Sequence, residues 1–293
     1  MLQPLTLKFI NRKLLNEFPL PKIDADADKD ARGCAFIVGG YNELPGAVVL
    51  AAEAAVSAGA GKLKIGTTES IQVPVGMKVP EAMVVALDSK REVLTSNAAN
   101  QILKSSSRSS ALLIGPGLKE GPDLEKMARE ISRKLKDQTL ILDAGALSAL
   151  RKHPGLLKSL KKTPIITPHA GEMAQLLGID RDVVESNADA FALEYAQREQ
   201  VIVVLKGSES FIAAPDGRLF VHSGKNPGLA TSGSGDVLAG VIAGLVSRGA
   251  DSLTAAIWGV HLHASAGDEL AKSRGKVGFL AREISREIPR LTD

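Results

Sequence analysis

The feature that most constrains this fold is a repeated alternation of short apolar segments with longer helical patterns. Seven apolar segments have the composition of buried strands, at 35–38, 62–66, 82–87, 111–114, 139–142, 165–167 and 201–205. Helical patterns occur at 47–58, 93–104, 123–135, 172–177 and 182–198, and three more at 236–248, 253–271 and 279–288 complete the chain. Such alternation predicts an α/β fold with a central, mostly parallel sheet flanked by helices on both faces.

Composition supports the same architecture. Aromatic residues make up only 3% of the chain, so the core must be built from Ala, Val, Ile and Leu, which suits parallel strands buried on both faces. Segments 211–214 and 218–221 flank a Pro-Asp-Gly turn and predict a β-hairpin. No linker, composition break or internal repeat interrupts the pattern. We therefore expect one domain over 1–293, with 1–32 as an irregular lead-in that ends in an acidic stretch.

Several classes of protein are disfavoured by charge and patterning. The net charge is only +3, and no basic stripe with interleaved aromatic residues indicates nucleic-acid binding. No uncharged apolar run reaches the roughly 18 residues of a membrane span. Cys34 is the only cysteine, which excludes an internal disulfide and fits the reducing cytoplasm. We expect a cytoplasmic protein whose mildly basic surface favours phosphorylated small molecules.

Polar residues follow several of the predicted strands. Gly39-Gly40, Gly115-Pro116-Gly117, Asp143, His169 and Lys206 each stand where a strand ends. Ligands of open α/β sheets bind beyond the carboxyl ends of the strands. Turn chemistry accounts for the glycines and prolines, but it accounts less well for Asp143, His169 and Lys206. These strand ends are therefore the predicted site.

The stretch 231–245, TSGSGDVLAGVIAGL, predicts a phosphate-binding turn that leads into a helix. The helix should begin near Gly235, which leaves backbone N–H groups and the positive end of the helix dipole available to an anion. Asp236 has two interpretations that the residues leave open. It is either the N-cap of the helix or a base beside a phosphate that is being transferred.

Two familiar nucleotide motifs do not fit. The segment AGAGKL at 58–63 resembles the end of a P-loop, but Val56 replaces the first glycine and Leu63 replaces the Ser or Thr after the lysine. The loop GGYNELPG at 39–46 does not match G-x-G-x-x-G. A dinucleotide oxidoreductase of Rossmann type is therefore disfavoured.

Several segments carry a family resemblance. T-x-G-S-G-D-x-L-A-G resembles the anion-hole motif of ribokinase-like kinases, which implies a ribokinase-like fold. The opening VGGYNELPGAVVLAAEAAVSAGAGKLKIGT, followed by IGPGL, LDAGAL, ITPHAGEMAQLLG and VLKGSES, is similar in content and order to the ADP/ATP-dependent NAD(P)H-hydrate dehydratases. The resemblance runs from about Gly33 to the end. It departs at Gly145 and Ser148, where the family more often has Asp and Asn.

The resemblance implies a repair reaction, in which the S-epimer of hydrated NADH or NADPH is dehydrated at the expense of ADP or ATP. It implies that Asp236 is the general base and that Gly233, Ser234 and Gly235 form the anion hole. The positions that match the hydrate pocket are Ala47, Gly117, His169 and Asp236, and those that match the nucleotide site are Lys206, Gly207, Ser208, Glu209, Ser210 and Gly235. It also implies a homotetramer, with the epimerase of the same pathway on a separate chain.

Other interpretations remain open at this stage. Ala47 could simply belong to a helix, Gly117 to a turn, and His169 could cap the helix that follows it. No Cys, His or carboxylate cluster predicts a dedicated metal site, so we expect Mg²⁺ to arrive with the nucleotide phosphates. A ribokinase-like kinase of a vitamin precursor or sugar, and a non-catalytic nucleotide-binding regulator, are the alternatives to the dehydratase.

Overall fold

A computed structural model describes residues 7–24 and 26–292 of the chain. Its twelve strands are β1 (Leu7–Phe9), β2 (Cys34–Val38), β3 (Lys62–Thr68), β4 (Ala82–Leu87), β5 (Ser89–Lys90), β6 (Val93–Leu94), β7 (Ala111–Ile114), β8 (Thr139–Leu142), β9 (Ile165–Ile166), β10 (Ile202–Leu205), β11 (Ser210–Ala213) and β12 (Leu219–His222). Ten of them form one sheet in the order β1-β12-β11-β10-β9-β8-β7-β2-β3-β4. Only β11 runs antiparallel to its neighbours, so the sheet is mostly parallel, as predicted.

Twelve α-helices cover the two faces of the sheet in the described ranges. They are α1 (Arg12–Glu17), α2 (Gly46–Ser57), α3 (Glu69–Lys78), α4 (Ala98–Ser106), α5 (Pro122–Lys134), α6 (Ser148–Lys152), α7 (Ala170–Leu177), α8 (Arg181–Ser186), α9 (Ala188–Glu199), α10 (Ser234–Ser247), α11 (Ser252–Arg274) and α12 (Ala281–Glu287). One apolar core lies between the sheet and α2, α10, α11 and α12, and a second lies under α4 to α9. Because side chains alternate along a strand, each central strand contributes to both cores.

Helices α2 and α10 pack closely because glycines on α10 have no side chain. A Cβ atom at Gly240 would lie 2.2 Å from the carbonyl oxygen of Ala51, and one at Gly244 would lie 2.4 Å from that of Ala55. Gly233, just before α10, would place a Cβ 2.4 Å from Leu50. The N-terminal ends of the two helices therefore meet at the same edge of the sheet.

The predicted lead-in is partly wrong. Segment 7–17 forms strand β1, which pairs in parallel with β12 at Leu7 and Leu219, and then helix α1. Leu14 and Leu15 of α1 are buried in the first core, which is why this segment is ordered against the sheet. Residues 19–24 and 26–33 form no helix or strand, as expected, and 1–6 and 25 lie outside the described residues.

Two predicted helices also have different limits. Val93 and Leu94 pair with Ser89 and Lys90 in a small hairpin, so the helix predicted from 93 begins at Ala98. The helix predicted over 182–198 is two helices, because Asn187 has non-helical dihedrals and separates α8 from α9. None of the described helices is long and apolar enough to traverse a lipid bilayer.

Candidate active site

The strand order brings most of the predicted strand-end residues together. Strands β10, β9, β8, β7 and β2 are consecutive neighbours and run in the same direction. Their carboxyl ends therefore form one continuous edge. Along it lie Lys206, His169, Asp143, the 115–117 turn and the 39–40 turn, in that order.

Lys206 and Asp143 form an ion pair at the centre of this edge. The Nζ atom of Lys206 donates to Oδ1 of Asp143 at 2.9 Å, and the Asp143 side chain is only 2% exposed. Asp143 also accepts a hydrogen bond of 2.6 Å from the hydroxyl of Thr167. Glu172 Oε2 lies 3.8 Å from the same Nζ atom. Burial alone would lower the pKa of Lys206, but the charges of Asp143 and Glu172 outweigh it and raise the pKa, so Lys206 remains cationic.

Asp236 faces this ion pair from the first turn of α10. The N-cap of α10 is Gly233, in a left-handed conformation at φ 88°, and Asp236 is the third residue of the helix. The N-cap interpretation of Asp236 is therefore wrong. Burial raises the pKa of Asp236 to about 7, and Asp143 and Glu172 raise it while Lys206 opposes them. A carboxyl group with this pKa exchanges a proton readily near neutral pH.

The turn before α10 leaves backbone donors free beside Asp236. The Ser234 N–H donates to the Thr231 carbonyl at 3.2 Å, and the Val237 N–H donates to that of Gly233 at 3.1 Å. Within the described part of the chain, the N–H groups of Gly235 and Asp236 have no such partner. A Cβ atom at Gly235 would lie 3.3 Å from Lys206 Nζ, so the free amides and the ammonium group are close together. Both would attract an anion.

His263 holds this turn in place through contacts with Ser234. Its Nε2 atom lies 3.0 Å from both the hydroxyl and the carbonyl oxygen of Ser234. Burial lowers the pKa of His263 to about 4, so the ring is neutral at neutral pH. A neutral ring in this position holds Ser234 through a hydrogen bond and adds no charge to the anion site.

Ala47 and Gly117 meet on the other side of the edge. Gly117 has φ 65°, and a Cβ there would lie 2.9 Å from that of Ala47 and 2.8 Å from the Leu44 carbonyl oxygen. Ala47 is 4% exposed in the first turn of α2. The two residues thus form a tight joint between the 115–117 turn and α2, and this geometry alone does not distinguish a pocket wall from helix and turn packing.

His169 is both a cap and an exposed side chain. Its Nδ1 atom accepts from the Glu172 N–H at 3.1 Å, and Glu172 Oε2 accepts from the His169 N–H at 2.7 Å, which completes a capping box for α7. The imidazole is nevertheless 60% exposed. Nδ1 is used by the helix and Nε2 lies 3.7 Å from Glu172 Oε1, so a ligand at the edge would meet the exposed ring beside this carboxylate.

The predicted nucleotide segment lies next along the edge. Gly207, Ser208 and Glu209 are exposed between β10 and β11. Ser210 begins β11 and pairs with His222 at the end of β12. This segment leads away from Lys206 toward the hairpin and α11.

Sequence reasoning did not assign roles to Asp143 and Glu172, although they hold Lys206 in place. From the sequence, Asp143 is only a polar strand end, and Glu172 could either orient His169 or be a favourable charge in the first turn of a helix. In the structure Glu172 does contact His169, through the His169 N–H, and it also lies beside Lys206. The atypical Gly145 has a structural reason, since a Cβ there would lie 2.2 Å from the Leu118 carbonyl oxygen. An aspartate at 145 would require the chain at Leu118 to move.

Comparisons with known proteins identify the family of the chain. A profile of the family described as NAD(P)H-hydrate dehydratase matches residues 35–290. The chain is 44% identical over 289 residues to an ADP-dependent (S)-NAD(P)H-hydrate dehydratase of Xanthomonas campestris, covering 98% of this chain and 96% of that protein.

Two solved structures share the fold. The ADP/ATP-dependent NAD(P)H-hydrate dehydratase of Bacillus subtilis, co-crystallised with ATP and Mg²⁺, superposes with a TM-score of 0.85 at 29% identity and 97% coverage of both chains. A ribokinase-like superfamily protein of Enterococcus faecalis gives 0.82 at 27% identity, covering 98% of this chain and 95% of that one. The fold is therefore ribokinase-like, and the chain belongs to the NAD(P)H-hydrate dehydratase family.

Proposed function

We propose that this protein dehydrates the S-epimer of hydrated NADH or NADPH back to NADH or NADPH. The reaction consumes ADP, giving AMP and phosphate, or ATP, giving ADP and phosphate. The enzyme is accordingly a carbon–oxygen lyase of nicotinamide nucleotide repair. The observation that carries the proposal is the placement of Asp236, a carboxyl group with a pKa of about 7, beside the free amides of α10 and the ammonium of Lys206.

The chemistry uses these groups in two stages. In the first, Asp236 accepts the proton of the ring hydroxyl as that oxygen attacks the terminal phosphorus of the nucleotide, whose bond to the bridging oxygen breaks. The free amides of α10 and Lys206 stabilise the charge that develops on the phosphoryl oxygens. In the second, the carbon–oxygen bond breaks and inorganic phosphate leaves, helped by the lone pair of the ring nitrogen. Loss of a proton from the adjacent carbon then restores the dihydronicotinamide.

The two substrates approach from opposite ends of the edge in this proposal. The hydrate lies between Ala47 and Gly117 on one side and the exposed imidazole of His169 on the other. The nucleotide lies along the 206–210 segment with its phosphates at Gly235. The anion hole lies at the turn Gly233, Ser234 and Gly235, where the free N–H groups of Gly235 and Asp236 would donate to the phosphate; the Ser234 N–H is used by the Thr231 carbonyl. The order of strands supports this division for Ala47, Gly117 and Lys206, because β2 and β7 lie on one side of Asp143, and β10 and β11 lie on the other. His169 follows β9, beside Lys206, so the hydrate would have to extend across Asp143 to reach it.

Magnesium enters with the nucleotide in this scheme. In the described ranges no group of three or more His, Cys, Asp or Glu residues could hold a metal ion by itself. Mg²⁺ is commonly bound through one or two carboxylates together with substrate phosphates, and Glu172 is the partly exposed carboxylate beside the phosphate site. When bound, the ion would neutralise phosphate charge.

We also propose that the protein works in the cytoplasm. A free, buried Cys34 suits the reducing cytoplasm. We propose a homotetramer, and the exposed apolar side chains on α3 and the edge strand β4, namely Val73, Met77 and Met83, offer a surface for contacts between copies. We propose that residues 1–293 form a single dehydratase domain and that an NAD(P)H-hydrate epimerase acts in the same pathway.

The test is recovery of NADH, followed by the near-ultraviolet absorbance of the dihydronicotinamide ring. Hydrated NADH is incubated with the protein and Mg²⁺, with ADP and ATP in parallel reactions. We expect absorbance to return only when a nucleotide is present, with one phosphate released for each NADH. Accumulation of a stable phosphorylated product without NADH would instead indicate a small-molecule kinase.

A further inference from the structure

Helix α11 carries a buried histidine that the proposed chemistry does not use. His263 is 9% exposed, and Ser234, the residue that it contacts at the start of α10, is 6% exposed. The two helices pack closely, because a Cβ atom at Gly259 of α11 would lie 2.5 Å from Cγ1 of Ile242 on α10. His263 lies four residues after Gly259, on the same face of α11. Packing between the two helices therefore fixes the position of the imidazole.

The contacts of His263 indicate which ring nitrogen carries the proton. Nε2 lies 3.0 Å from the carbonyl oxygen of Ser234, and a carbonyl oxygen can only accept a hydrogen bond. The proton is therefore assigned to Nε2, since a bare nitrogen would bring two lone pairs together. The hydroxyl oxygen of Ser234, also 3.0 Å away, can accept from the same N–H. Burial lowers the pKa of His263 to about 4, so the ring is a neutral donor at neutral pH.

The Ser234 carbonyl belongs to the same peptide unit as the Gly235 N–H. That N–H is one of the two amides left free at the start of α10 within the described residues. A trans peptide unit is planar, so its C=O and N–H groups point in opposite directions. N–H groups in the first turn of a helix point out of its N-terminal end, which here is the phosphate site. A hydrogen bond that holds the Ser234 carbonyl therefore also sets the direction of the Gly235 N–H.

Glycines on both sides of Ser234 make this peptide unit easy to misalign. Gly233 has φ 88°, and Gly235 has no Cβ atom to restrict its dihedral angles. Rotation of the peptide between Ser234 and Gly235 would turn its N–H away from the phosphate, and it would break the bond from His263. Because His263 and Ser234 are buried, water does not readily replace that bond. The histidine therefore opposes the rotation that would disable the amide.

We propose that His263 is a positioning residue for phosphoryl transfer, whose Nε2–H holds the Ser234 carbonyl so that the Gly235 N–H points at the terminal phosphate. Imidazole, peptide unit and phosphoryl oxygen then form one chain of hydrogen bonds, and the members of such a chain polarise one another. The histidine acts through the turn and adds no charge that would retain the phosphate after transfer. This inference rests on the proposed function, since it assumes that the terminal phosphate of the nucleotide lies at Gly235.

The first test compares two nucleotides that differ in the phosphate at Gly235. His263→Phe keeps a ring for packing but loses the donor, whereas the side-chain amide of His263→Gln can donate to the same carbonyl. Calorimetry measures ADP and AMP binding, because AMP lacks the phosphate that would lie at Gly235. We expect His263→Phe to bind ADP about tenfold more weakly and AMP as well as the wild type does. His263→Gln should restore most of the ADP affinity.

Turnover of hydrated NADH with ADP and Mg²⁺ gives the second comparison. In His263→Phe kcat should fall about tenfold, less than the about 10²–10³-fold lost when an anion-hole donor is removed outright, and KM for the hydrate should not change. The control is Ile257→Val, which shortens a buried side chain of α11 in the same core. It should lower the melting temperature but leave kcat and the preference for ADP over AMP unchanged. If His263→Phe behaves like this control, the positioning role is overturned.

Nitrogen NMR of the wild type decides the question even if His263→Phe does not fold. The five histidines are isotope-labelled, and the signal of His263 is assigned by substituting the other four in turn. The ring should carry its proton on Nε2, and that proton resonance should shift with ADP but not with AMP. A bare Nε2 nitrogen, or a resonance that ignores ADP, would overturn the positioning role alone if the wild type recovers NADH. A wild type that binds no ADP would overturn this role and the proposed function together.

Discussion

The carboxylate of Asp143 and the ammonium of Lys206 lie 2.9 Å apart, although 63 residues separate them in the chain. Asp143 is almost fully buried, so its charge is compensated mainly by Lys206 and by the hydroxyl of Thr167. The pair fixes the lysine at the mouth of the phosphate site, and its negative member helps to raise the pKa of Asp236. This one ion pair therefore both positions Lys206 and influences the pKa of Asp236.

Lys206→Ala should weaken nucleotide binding more than hydrate binding, because the ammonium faces the free amides of α10. We expect a loss of tenfold or more in ADP affinity, measured by calorimetry. The variant also leaves Asp143 buried without its cation, which should cost about 3–5 kcal/mol of stability. The control is Lys161→Ala, which removes only an exposed pair with Asp137. Unchanged ADP affinity in folded Lys206→Ala would refute the assignment.

Asp143→Asn should move the pH dependence of turnover. A general base must be deprotonated, so kcat/KM should rise with pH through the pKa of Asp236, about 7, and level off above it. Removing the Asp143 charge removes one cause of that raised pKa, so the rising limb should shift to lower pH. Steady-state rates measured across this range for both proteins provide the comparison. A limb that does not move would show that Asp143 has no electrostatic influence on the base.

The difference in stability between Asp236→Asn and the wild type should depend on pH in a defined direction. The folded pKa of Asp236 lies above its ordinary value, so the folded state holds the proton more tightly than the unfolded state does. The protonated Asp236 therefore stabilises the folded wild type fully below pH about 4, and this stabilisation is lost as pH rises through about 7. Asparagine carries no such charge, so the variant should gain about 1–3 kcal/mol over the wild type between those limits. Urea unfolding at several pH values measures the difference. A constant difference would contradict the raised pKa.

His169 can be tested with two substitutions that separate its roles. His169→Asn retains a good N-cap but removes the imidazole, and His169→Ala removes both. If the exposed ring contacts the hydrate, both variants should raise KM for the hydrate roughly tenfold while ADP affinity is unchanged. Only His169→Ala should also lose about 1 kcal/mol of stability. Normal hydrate kinetics in His169→Asn would leave the residue as a cap alone.

The sequence predicts those parts of the fold that depend on local patterns. Strands 111–114 and 139–142 have the predicted limits, because apolar runs of this kind fit buried parallel strands. Strand 82–87 also has its predicted limits, although it is the edge strand β4 and only Leu87 is buried. Strand β1 was not predicted, since Leu7, Lys8 and Phe9 form no such run and gain order by pairing with β12. Helix α3 contains Pro74, which conceals its pattern.

The candidate site, like the fold, could be predicted only in part from the sequence. Strand-end residues could be identified from the sequence, and the edge that joins them is confirmed. The pairing of Lys206 with Asp143 and Glu172 could not be inferred, because it depends on which strands are neighbours and on side-chain reach. Asp236 was ambiguous because helix limits from sequence are uncertain by a residue or two, and that margin decides between the N-cap and the third position.

The central claim is that Asp236 is the general base, and recovery of NADH by Asp236→Asn tests it most directly. Hydrated NADH, ADP and Mg²⁺ are supplied to the wild type and the variant, and dihydronicotinamide absorbance is followed while ADP affinity and melting temperature are measured on the same preparations. The asparagine amide cannot accept the proton, and the substitution removes a negative charge beside the phosphates. We predict a folded variant that binds ADP at least as well as the wild type and turns over about 10²–10⁴-fold more slowly. Recovery of NADH by this variant at a near-normal rate would contradict the account.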